Sequence, residues 1–465
     1  MLTALGGYDA VVLAVSGGAD STALLYLAAG WHRRHDSAKR LAVVTVDHRL
    51  RPASADEAQA VAAQAAALGF EHRTAAWTAP KPSHGIQAAA REARYNLLME
   101  AALELRPHAG ARMAIVTAHT ADDQAETVLM RLARGSGVDG LASIPTVGRL
   151  RRLGPDGAEQ SVAVLRPLLT VTRERLLATL REARLAYVDD PSNADDRYER
   201  VRAREVLRLA GTLGMTTTAL ARTAARMETA RAALDVQTAR VVAEAVTVHV
   251  ETVLAVDLDR VAREPVEIRA RLLRDVLRRA GGDGRQAELS AVEEAAQQLW
   301  SGEGSGAPSL TLGRCRLEAN SIGKADRGRL LVYRETERQP GLPSLTLGAG
   351  CGTLWDHRIW VSVAKSHSGT VEIGPLGDDA SRLAGEYKCL IELPVPLRAL
   401  SGLPAFRRDG RLIAAPMLAE FARRAGDRTA AAELAGPVDA QGGGVKPSLR
   451  ASVSALLSGH DVNDA

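Results

Sequence analysis

The feature that most constrains this chain is residues 11–21, where a short β-branched apolar run leads directly into a glycine-containing loop and then into a helical pattern. Adjacent glycines leave backbone N–H groups uncovered by side chains, and the positive end of the following helix is directed at the loop. Such a loop suits a phosphate chain. We predict that the loop SGGADS holds a phosphate-containing ligand, and its six residues are the candidates for this site: Ser16, Gly17, Gly18, Ala19, Asp20 and Ser21.

This loop differs from the P-loop found in many ATPases. It lacks a lysine and the GxxxxGK[ST] spacing, and Asp20 occupies the place of the usual cation. A carboxylate is better suited to holding Mg²⁺ than phosphate, so Asp20 is predicted as a metal ligand. The alternative, for a motif this short, is a serine–glycine turn that only joins a strand to a helix.

The composition indicates a folded multidomain protein with a weak basic bias. At 465 residues the chain is long enough for roughly two to four domains, and its formal net charge is +4. Only six of the 59 basic residues are lysine. Because arginine binds phosphate through a planar fork, this composition is compatible with an RNA partner.

The cysteine pattern and the hydropathy argue against other classes of protein. Cys315, Cys351 and Cys389 are widely separated and form no CxxC pair for zinc, iron–sulfur or redox work. We expect structural thiols in a reducing compartment. No apolar segment approaches 18 residues and no signal-peptide pattern opens the chain, so we expect a soluble cytoplasmic protein without membrane contact.

Three short apolar runs, at residues 11–15, 41–46 and 113–118, alternate with alanine-rich helical patterns. This alternation predicts an α/β fold with a doubly wound parallel sheet covered on both faces. Ligands of such sheets bind beyond the carboxyl ends of the strands, where polar motifs follow all three runs. That convergence is the strongest indication of a functional site.

The pattern changes twice beyond this region. Residues 211–300 are mainly helical in pattern and are followed by a small hairpin, and a Pro and Gly cluster at 339–352 predicts a linker. We predict a catalytic domain over residues 1–210, a mainly helical domain over 211–338 and a small β-rich domain over 339–465. The tail after residue 436 is expected to fray.

Two further motifs follow predicted strands. VDHRLR at residues 46–51 places Asp47 where an adenine or ribose would be bound, although a simple polar strand end is an equal alternative. AHTADDQAET at residues 118–127 places four groups on one helical face: His119, Asp122, Asp123 and Glu126. We predict metal binding or acid–base chemistry there, with Asp123 as a second metal ligand, whereas the alternative for the two aspartates is ordinary helix capping.

Two glycines and an arginine complete the candidate residues. Gly135 and Gly137, in RLARGSGVDGL, are candidates for binding an anion through their amides, and a glycine helix cap is the alternative. Arg200 lies in the charged segment 189–204, where a long substrate would enter. A solvated basic helix face is the alternative for Arg200. The helix at residues 88–98 is expected to bury Tyr95 and to leave its arginines in solvent.

Together with RPLL at 166–169 and DDPSNADDRYER at 189–200, these motifs resemble those of the tRNA(Ile)-lysidine synthetases, a family of the ATP pyrophosphatase superfamily. The resemblance is dense from about residue 10 to residue 205 and thin afterwards. The family often has asparagine after the arginine that corresponds to Arg200, whereas this chain has Val201. From this pair, only the role of the family's arginine is therefore assigned here, to Arg200.

The resemblance implies an ATP-dependent ligase with Mg²⁺ as cofactor. It implies that O2 of cytidine 34, in tRNA(Ile) with a CAU anticodon, attacks the α-phosphate of ATP, and that the amine of free L-lysine then replaces AMP at C2. His119, Asp122, Asp123 and Arg200 are the candidate catalytic residues. The two later domains are expected to bind tRNA. The oligomeric state is left open, with a homodimer among the options.

Three rival functions fit the sequence less well. A tRNA thiolase typically uses paired cysteines or a cluster, and the first 300 residues contain no cysteine. A glutamine-dependent synthetase would need an N-terminal cysteine nucleophile. A non-catalytic RNA-binding protein would be expected to have lost glycines or carboxylates from these motifs, and they are intact.

Overall fold

The computed structural model describes residues 2–35, 39–50, 54–154, 158–188, 199–250, 252–282, 286–300, 309–319, 329–337, 341–364, 367–435 and 446–448. These residues divide into two compact units. The first draws on residues 2–152 and 160–233, and the second on residues 153–159 and 234–448. The predicted three-domain division at residues 210 and 338 stays a prediction.

The first unit alternates strands and helices, as the apolar runs predict. Its elements are β1 (Ala10–Ala14), α1 (Ala19–His35), β2 (Arg40–Asp47), α2 (Ser54–Ala67), β3 (Glu71–Ala76), α3 (Ile86–Glu104), β4 (Met113–Val116), α4 (Ala121–Ala133), α5 (Val138–Leu141), β5 (Val147–Leu153), β6 (Glu159–Leu165), α6 (Arg173–Glu182), α7 (Glu199–Ala210) and α8 (Thr217–Ala245), with 3-10 turns at Leu2–Gly7 and Gly211–Leu213.

The strands form one sheet in the order β3-β2-β1-β4-β6-β5. β1 pairs in parallel with β2 and β4, β2 with β3, and β4 with β6. Alternate residues of β1 enter two separate cores: Val11 and Leu13 pack on the side of α1, and Val12 packs with Tyr95 of α3. The predicted doubly wound α/β sheet is confirmed, and Tyr95 is buried as expected.

The sheet order places four chain segments side by side at one edge. The segments that follow β2, β1, β4 and β6 begin at His48, Val15, Thr117 and Arg166. Because these strands are parallel neighbours, their carboxyl ends meet at the same edge. The glycine loop, the His119 segment and Arg166 are therefore neighbours, although they lie far apart in sequence.

The second unit contains three sheets and several helices. Its elements are β7 (Val246–Val250), β8 (Val253–Asp257), α9 (Leu258–Val261), α10 (Val266–Gly281), α11 (Leu289–Trp300), β9 (Ser309–Leu312), β10 (Cys315–Ala319), β11 (Arg329–Arg334), β12 (Leu345–Leu347), β13 (Gly352–Trp355), β14 (Ile359–Ser362), β15 (Val371–Pro375), α12 (Asp379–Glu386), α13 (Lys388–Ile391), α14 (Leu397–Ser401), β16 (Pro404–Arg408), β17 (Arg411–Ala414), α15 (Pro416–Arg424), α16 (Arg428–Ala435) and β18 (Lys446–Ser448).

The sheets of this unit have the orders β7-β8-β11-β10-β9, β12-β15-β16-β17 and β13-β14-β18. The expected hairpin is thus part of a five-stranded sheet. The helical prediction for 211–300 is wrong over β7 and β8, where runs of β-branched valine favour strands. The β-rich character of the C-terminal region is confirmed. Of the predicted frayed tail, residues 446–448 form β18 and the rest lies outside the described residues.

A buried ionic cluster links two sheets of the second unit. The Asp356 side chain, 1% exposed, lies within 2.5–2.9 Å of guanidinium nitrogens of Arg314, Arg334 and Arg358. These groups come from the ends of β10 and β11 and from the turn between β13 and β14. Removing one partner of such a cluster would leave a buried charge uncompensated, so the cluster fixes how these strands pack.

Candidate active site

The glycine loop turns sharply between β1 and α1. Gly17 has a φ of +88°, and a Cβ placed on it would lie 3.2 Å from Cγ2 of Val61. The Val188 N–H donates to the Gly17 carbonyl at 2.9 Å. Both the backbone conformation and the close neighbour therefore require glycine at this position.

Hydroxyl groups hold the loop in shape. Ser21 Oγ accepts from the Ser16 N–H at 3.2 Å and donates to the Gly18 carbonyl at 3.0 Å. Thr22 Oγ1 donates to the Gly17 carbonyl at 3.1 Å. The Ser16 side chain is exposed, whereas Ala19 and Ser21 are buried. Ser21 thus shapes the loop, and the exposed Ser16 side chain, whose Oγ lies 3.2 Å from Ser21 Oγ, is the loop hydroxyl that is open to solvent.

An acidic cavity of about 150 Å³ lies beside the loop. Its lining comes from the starts of α1, α4 and α6 and from α7, and consists of Asp20, Thr120, Asp122, Asp123, Glu126, Arg173 and Arg204. A second cavity of about 340 Å³ shares Asp122, Glu126 and Arg204 and extends along α7 to Thr217. Four carboxylates against two guanidinium groups make the smaller cavity attractive to cations.

Asp20 is the least satisfied carboxylate in this cavity. Its side chain is 25% exposed, its Oδ1 is buried without a hydrogen-bond partner, and the nearest cation, Arg173 Nε, is 4.0 Å from that oxygen. Burial raises the pKa of Asp20 to about 6; Arg173 opposes this rise, and the nearby Asp123 and Asp122 add to it. A bound cation would relieve this unfavourable charge.

Asp122 and Asp123 each use one oxygen to hold a helix end. Asp123 Oδ2 accepts from the Thr120 N–H at 2.8 Å and from its hydroxyl at 3.0 Å, as part of a capping box at the start of α4. Asp122 Oδ2 accepts from the Arg173 N–H at 2.7 Å, at the start of α6. Helix capping therefore accounts for one oxygen of each aspartate. Both side chains also line the cavity.

Glu126 and Arg204 form an ion pair at the far side of the cavity. Arg204 Nε donates to Glu126 Oε1 at 2.5 Å, and the Glu126 side chain is 2% exposed. Its Oε2 is buried without a partner. Burial raises the pKa of Glu126, and Arg204 only partly offsets this effect. A second donor could bind at Oε2.

His119 lies in the short segment between β4 and α4. Its Nδ1 is 2.8 Å from Thr117 Oγ1. Burial lowers the pKa of His119 well below its usual value, with Asp123 opposing and Arg166 assisting. The imidazole is therefore neutral at neutral pH and suits hydrogen bonding better than proton acceptance.

The remaining predicted residues lie outside the lining of the acidic cavity. Asp47 Oδ1 accepts from the Arg49 N–H at 2.8 Å. Burial opposes a low pKa at Asp47, but hydrogen bonds from the Arg49 N–H and the Ser54 hydroxyl lower it overall. Gly135, with φ +71°, follows the end of α4, and Gly137 precedes α5. Gly135 therefore forms the glycine cap of α4 that was the alternative for this motif. Anion binding by the two glycines stays a prediction.

Arg200 is half-buried near the start of α7. Most of the charged motif before it, residues 189–198, lies outside the described residues. Arg173 is a cavity residue that sequence reasoning missed. It reaches Asp20 only because α6 packs against α1, and no local pattern marks that contact.

The residues present fit Mg²⁺ in part. Among the described side chains, no cluster of three or more His, Cys, Asp or Glu could hold a metal ion unaided. The unpartnered Oδ1 of Asp20, with Asp123 and Asp122 nearby, nevertheless provides uncompensated oxygen ligands. Phosphate oxygens would have to complete such a site.

A glycine loop between β1 and α1, at the carboxyl edge of a parallel sheet and beside an acidic cavity, defines a nucleotide-binding α/β protein of the PP-loop class. A family model described as a PP-loop domain matches residues 4–210.

The chain is also similar to curated tRNA(Ile)-lysidine synthases. That of Rhodopseudomonas palustris is 47% identical over 301 residues, which cover 62% of this chain and 80% of the relative. That of Ruegeria pomeroyi is 36% identical over 409 residues, covering 87% and 88%. The chain therefore belongs to the tRNA(Ile)-lysidine synthase family, as its motifs predict.

A structure of U34-tRNA thiolase NcsA from Methanococcus maripaludis with its [4Fe-4S] cluster matches 48% of this chain and 73% of that chain, at 18% identity and a TM-score of 0.38. A similarity this low carries no functional argument. No helix in the described part of the chain combines the length and apolar character needed to cross a membrane.

Replacing Gly17 with alanine should impair nucleotide binding specifically. Alanine at φ +88° costs roughly 1–2 kcal/mol, and its Cβ would press on Val61. Gly69 is a matched control, because it has φ +82° and a Cβ added there would meet no atom within 4 Å. We expect both variants to lose stability in urea unfolding, Gly17→Ala more because of Val61, but about tenfold weaker ATP binding only for Gly17→Ala. Equal ATP affinity in both variants would contradict the phosphate-binding role.

The raised pKa of Asp20 predicts that the ligand-free protein loses stability as the pH rises from about 4 to about 6. In this window the folded protein keeps a proton that the unfolded chain releases. Asp20→Asn should therefore increase the free energy of unfolding near neutral pH by roughly 1–2 kcal/mol, allowing for solvent screening. Urea unfolding on both sides of this window, with the exposed Asp56→Asn as control, measures the effect. A destabilised Asp20→Asn protein at neutral pH would refute it.

Proposed function

We propose that this protein is a tRNA(Ile)-lysidine synthase: it ligates free lysine to C2 of cytidine 34 in tRNA(Ile) with a CAU anticodon, using ATP. The modified tRNA would then read AUA instead of AUG. The chain belongs to this family, and one observation supports the proposal in particular: Asp20 belongs both to the phosphate loop and to the lining of the acidic cavity. A nucleotide and a cationic amine could thus be bound side by side.

In the first step, the loop would hold the ATP phosphates through its backbone N–H groups and Ser16. Mg²⁺, held by Asp20 and by the Asp123 oxygen that does not cap α4, would neutralise the charge of the departing pyrophosphate. O2 of the cytosine forms a bond to the α-phosphorus, and the bond from that phosphorus to the pyrophosphate oxygen breaks. Asp47, at the end of the neighbouring β2, stays our candidate for the nucleoside part of ATP.

In the second step, the acidic cavity would attract the lysine ammonium group. The amine must lose a proton before it attacks C2, and AMP leaves as the C2–O bond breaks. Glu126 is the better candidate to accept this proton, because burial raises its pKa and its Oε2 has no partner, whereas Asp20 is assigned to Mg²⁺. Asp122 and Asp123 would orient the amine, and neutral His119 would donate or accept a hydrogen bond.

The tRNA would approach along α7. Because Arg204 is engaged by Glu126, Arg200 is the better candidate on this helix for a phosphate contact. The oligomeric state stays open, with a homodimer among the options, and a cytoplasmic location is our expectation.

The proposal predicts incorporation of labelled lysine into tRNA(Ile) with a CAU anticodon when ATP and Mg²⁺ are present. A transcript with uridine at position 34 should not be labelled. Asp123→Asn should lower the rate by about 100-fold or more, since the amide can still cap α4 but loses its charge. Asp56→Asn, an exposed first-turn substitution in α2, is the matched control and should keep the wild-type rate.

Incorporation of labelled lysine into acid-insoluble tRNA is measured by filter assay. Pyrophosphate release without lysine transfer, or transfer that is equally fast with Asp123→Asn, would contradict the proposal. Sulfur transfer in place of lysine transfer would indicate a thiolase.

A further inference from the structure

A buried arginine lies at the same sheet edge as the glycine loop. Arg166 directly follows β6, and the Thr117 N–H donates to the Leu165 carbonyl at 3.0 Å, which aligns the end of β6 with the end of β4. His119 lies two residues beyond Thr117. Arg166 is thus placed next to the His119 segment by the sheet itself.

Arg166 has donors that nothing in the structure satisfies. Arg166 is 1% exposed, and its Nη1 donates to the Pro145 carbonyl at 2.8 Å. Its Nε and Nη2 are buried without a hydrogen-bond partner. A buried guanidinium group with two unused donors is costly unless an anion binds to it.

A second arginine with an unused buried donor lies on α3, whose Tyr95 packs in the same buried core as Val162 and Val164 of β6. Arg91 of α3 has a buried Nε without a partner, and its guanidinium carbon lies 5.2 Å from the centre of the Tyr95 ring. Burial lowers the pKa of Arg91, and the positive charges of Arg94 and Arg200 lower it further. Within the described residues, no ion pair joins Arg91 or Arg166 to a carboxylate. The expectation that the arginines of this helix are simply solvated is therefore wrong for Arg91.

We propose that Arg91 and Arg166 form a phosphate-binding subsite, which rests on the proposed function for the identity of its ligand. Two guanidinium groups with free N–H donors fit the oxygens of a phosphate group. The phosphate would come either from ATP or from the RNA backbone beside the target nucleotide.

Binding measurements without lysine test this subsite. Arg91→Gln removes the positive charge and the planar set of guanidinium N–H donors at a half-buried position. Arg91→Lys keeps the charge but not the planar donors. Arg33→Gln, at the exposed carboxyl end of α1, is the matched control. Arg166→Lys serves as a second probe, and its thermal unfolding is checked because Arg166 also holds Pro145.

We expect Arg91→Gln to weaken one phosphate ligand by about tenfold, Arg91→Lys to weaken it less, and Arg33→Gln to leave it unchanged. Weaker ATP binding in the absence of tRNA assigns the phosphate to ATP. Weaker tRNA binding in the absence of ATP assigns the phosphate to the RNA backbone. In that case the slope of log K against log salt concentration should fall by about the amount expected for one phosphate contact.

Unchanged affinities for both ATP and tRNA would overturn the subsite, as would an effect confined to the KM for lysine, whose carboxylate would then be the ligand. The outcome is separate from that of the proposed function. Loss of ATP or tRNA affinity in Arg91→Gln would support the subsite even if the wild-type protein failed to transfer lysine.

Discussion

The site depends on the parallel alignment of β2, β1, β4 and β6 in one sheet. This alignment brings the ends of four strands to a single edge, so that the glycine loop, the His119 segment and Arg166 become neighbours. Cores on both faces of the sheet hold the strands in register. No single motif could create this arrangement, because each supplies only one wall of the site.

Buried groups of both charges keep unpaired polar atoms at this edge. Carboxylates at the starts of α1 and α4 line a cavity in which Asp20 and Glu126 keep unpaired buried oxygens, while Arg91 and Arg166 keep unpaired buried donors. Each of these unpaired atoms lowers the stability of the ligand-free protein. Such atoms are typical of a site in which a bound ligand supplies the missing partners. The presence of both sets of groups suits a reaction that joins an amine to a polyanionic substrate.

The sequence predicts the sheet and the loop well because both depend on local patterns. The apolar runs mark the strands, and the positive φ of Gly17 explains why glycine is needed there. Contacts between distant segments leave no such pattern. The approach of Arg173 to Asp20, the pairing of Arg204 with Glu126 and the burial of Arg166 all require the packed fold. Strands β7 and β8 were missed because alanine-rich helical sequence surrounds their valines.

We propose that the protein activates a pyrimidine at this sheet edge by transferring AMP to it. The most direct measurement uses ATP labelled at the α-phosphate with tRNA(Ile), with Mg²⁺ present and lysine omitted. We expect the label to become attached to the tRNA, unlabelled pyrophosphate to be released in equal amount, and added lysine to discharge the label as AMP. Release of ADP and phosphate, or label that never reaches the tRNA, would contradict it.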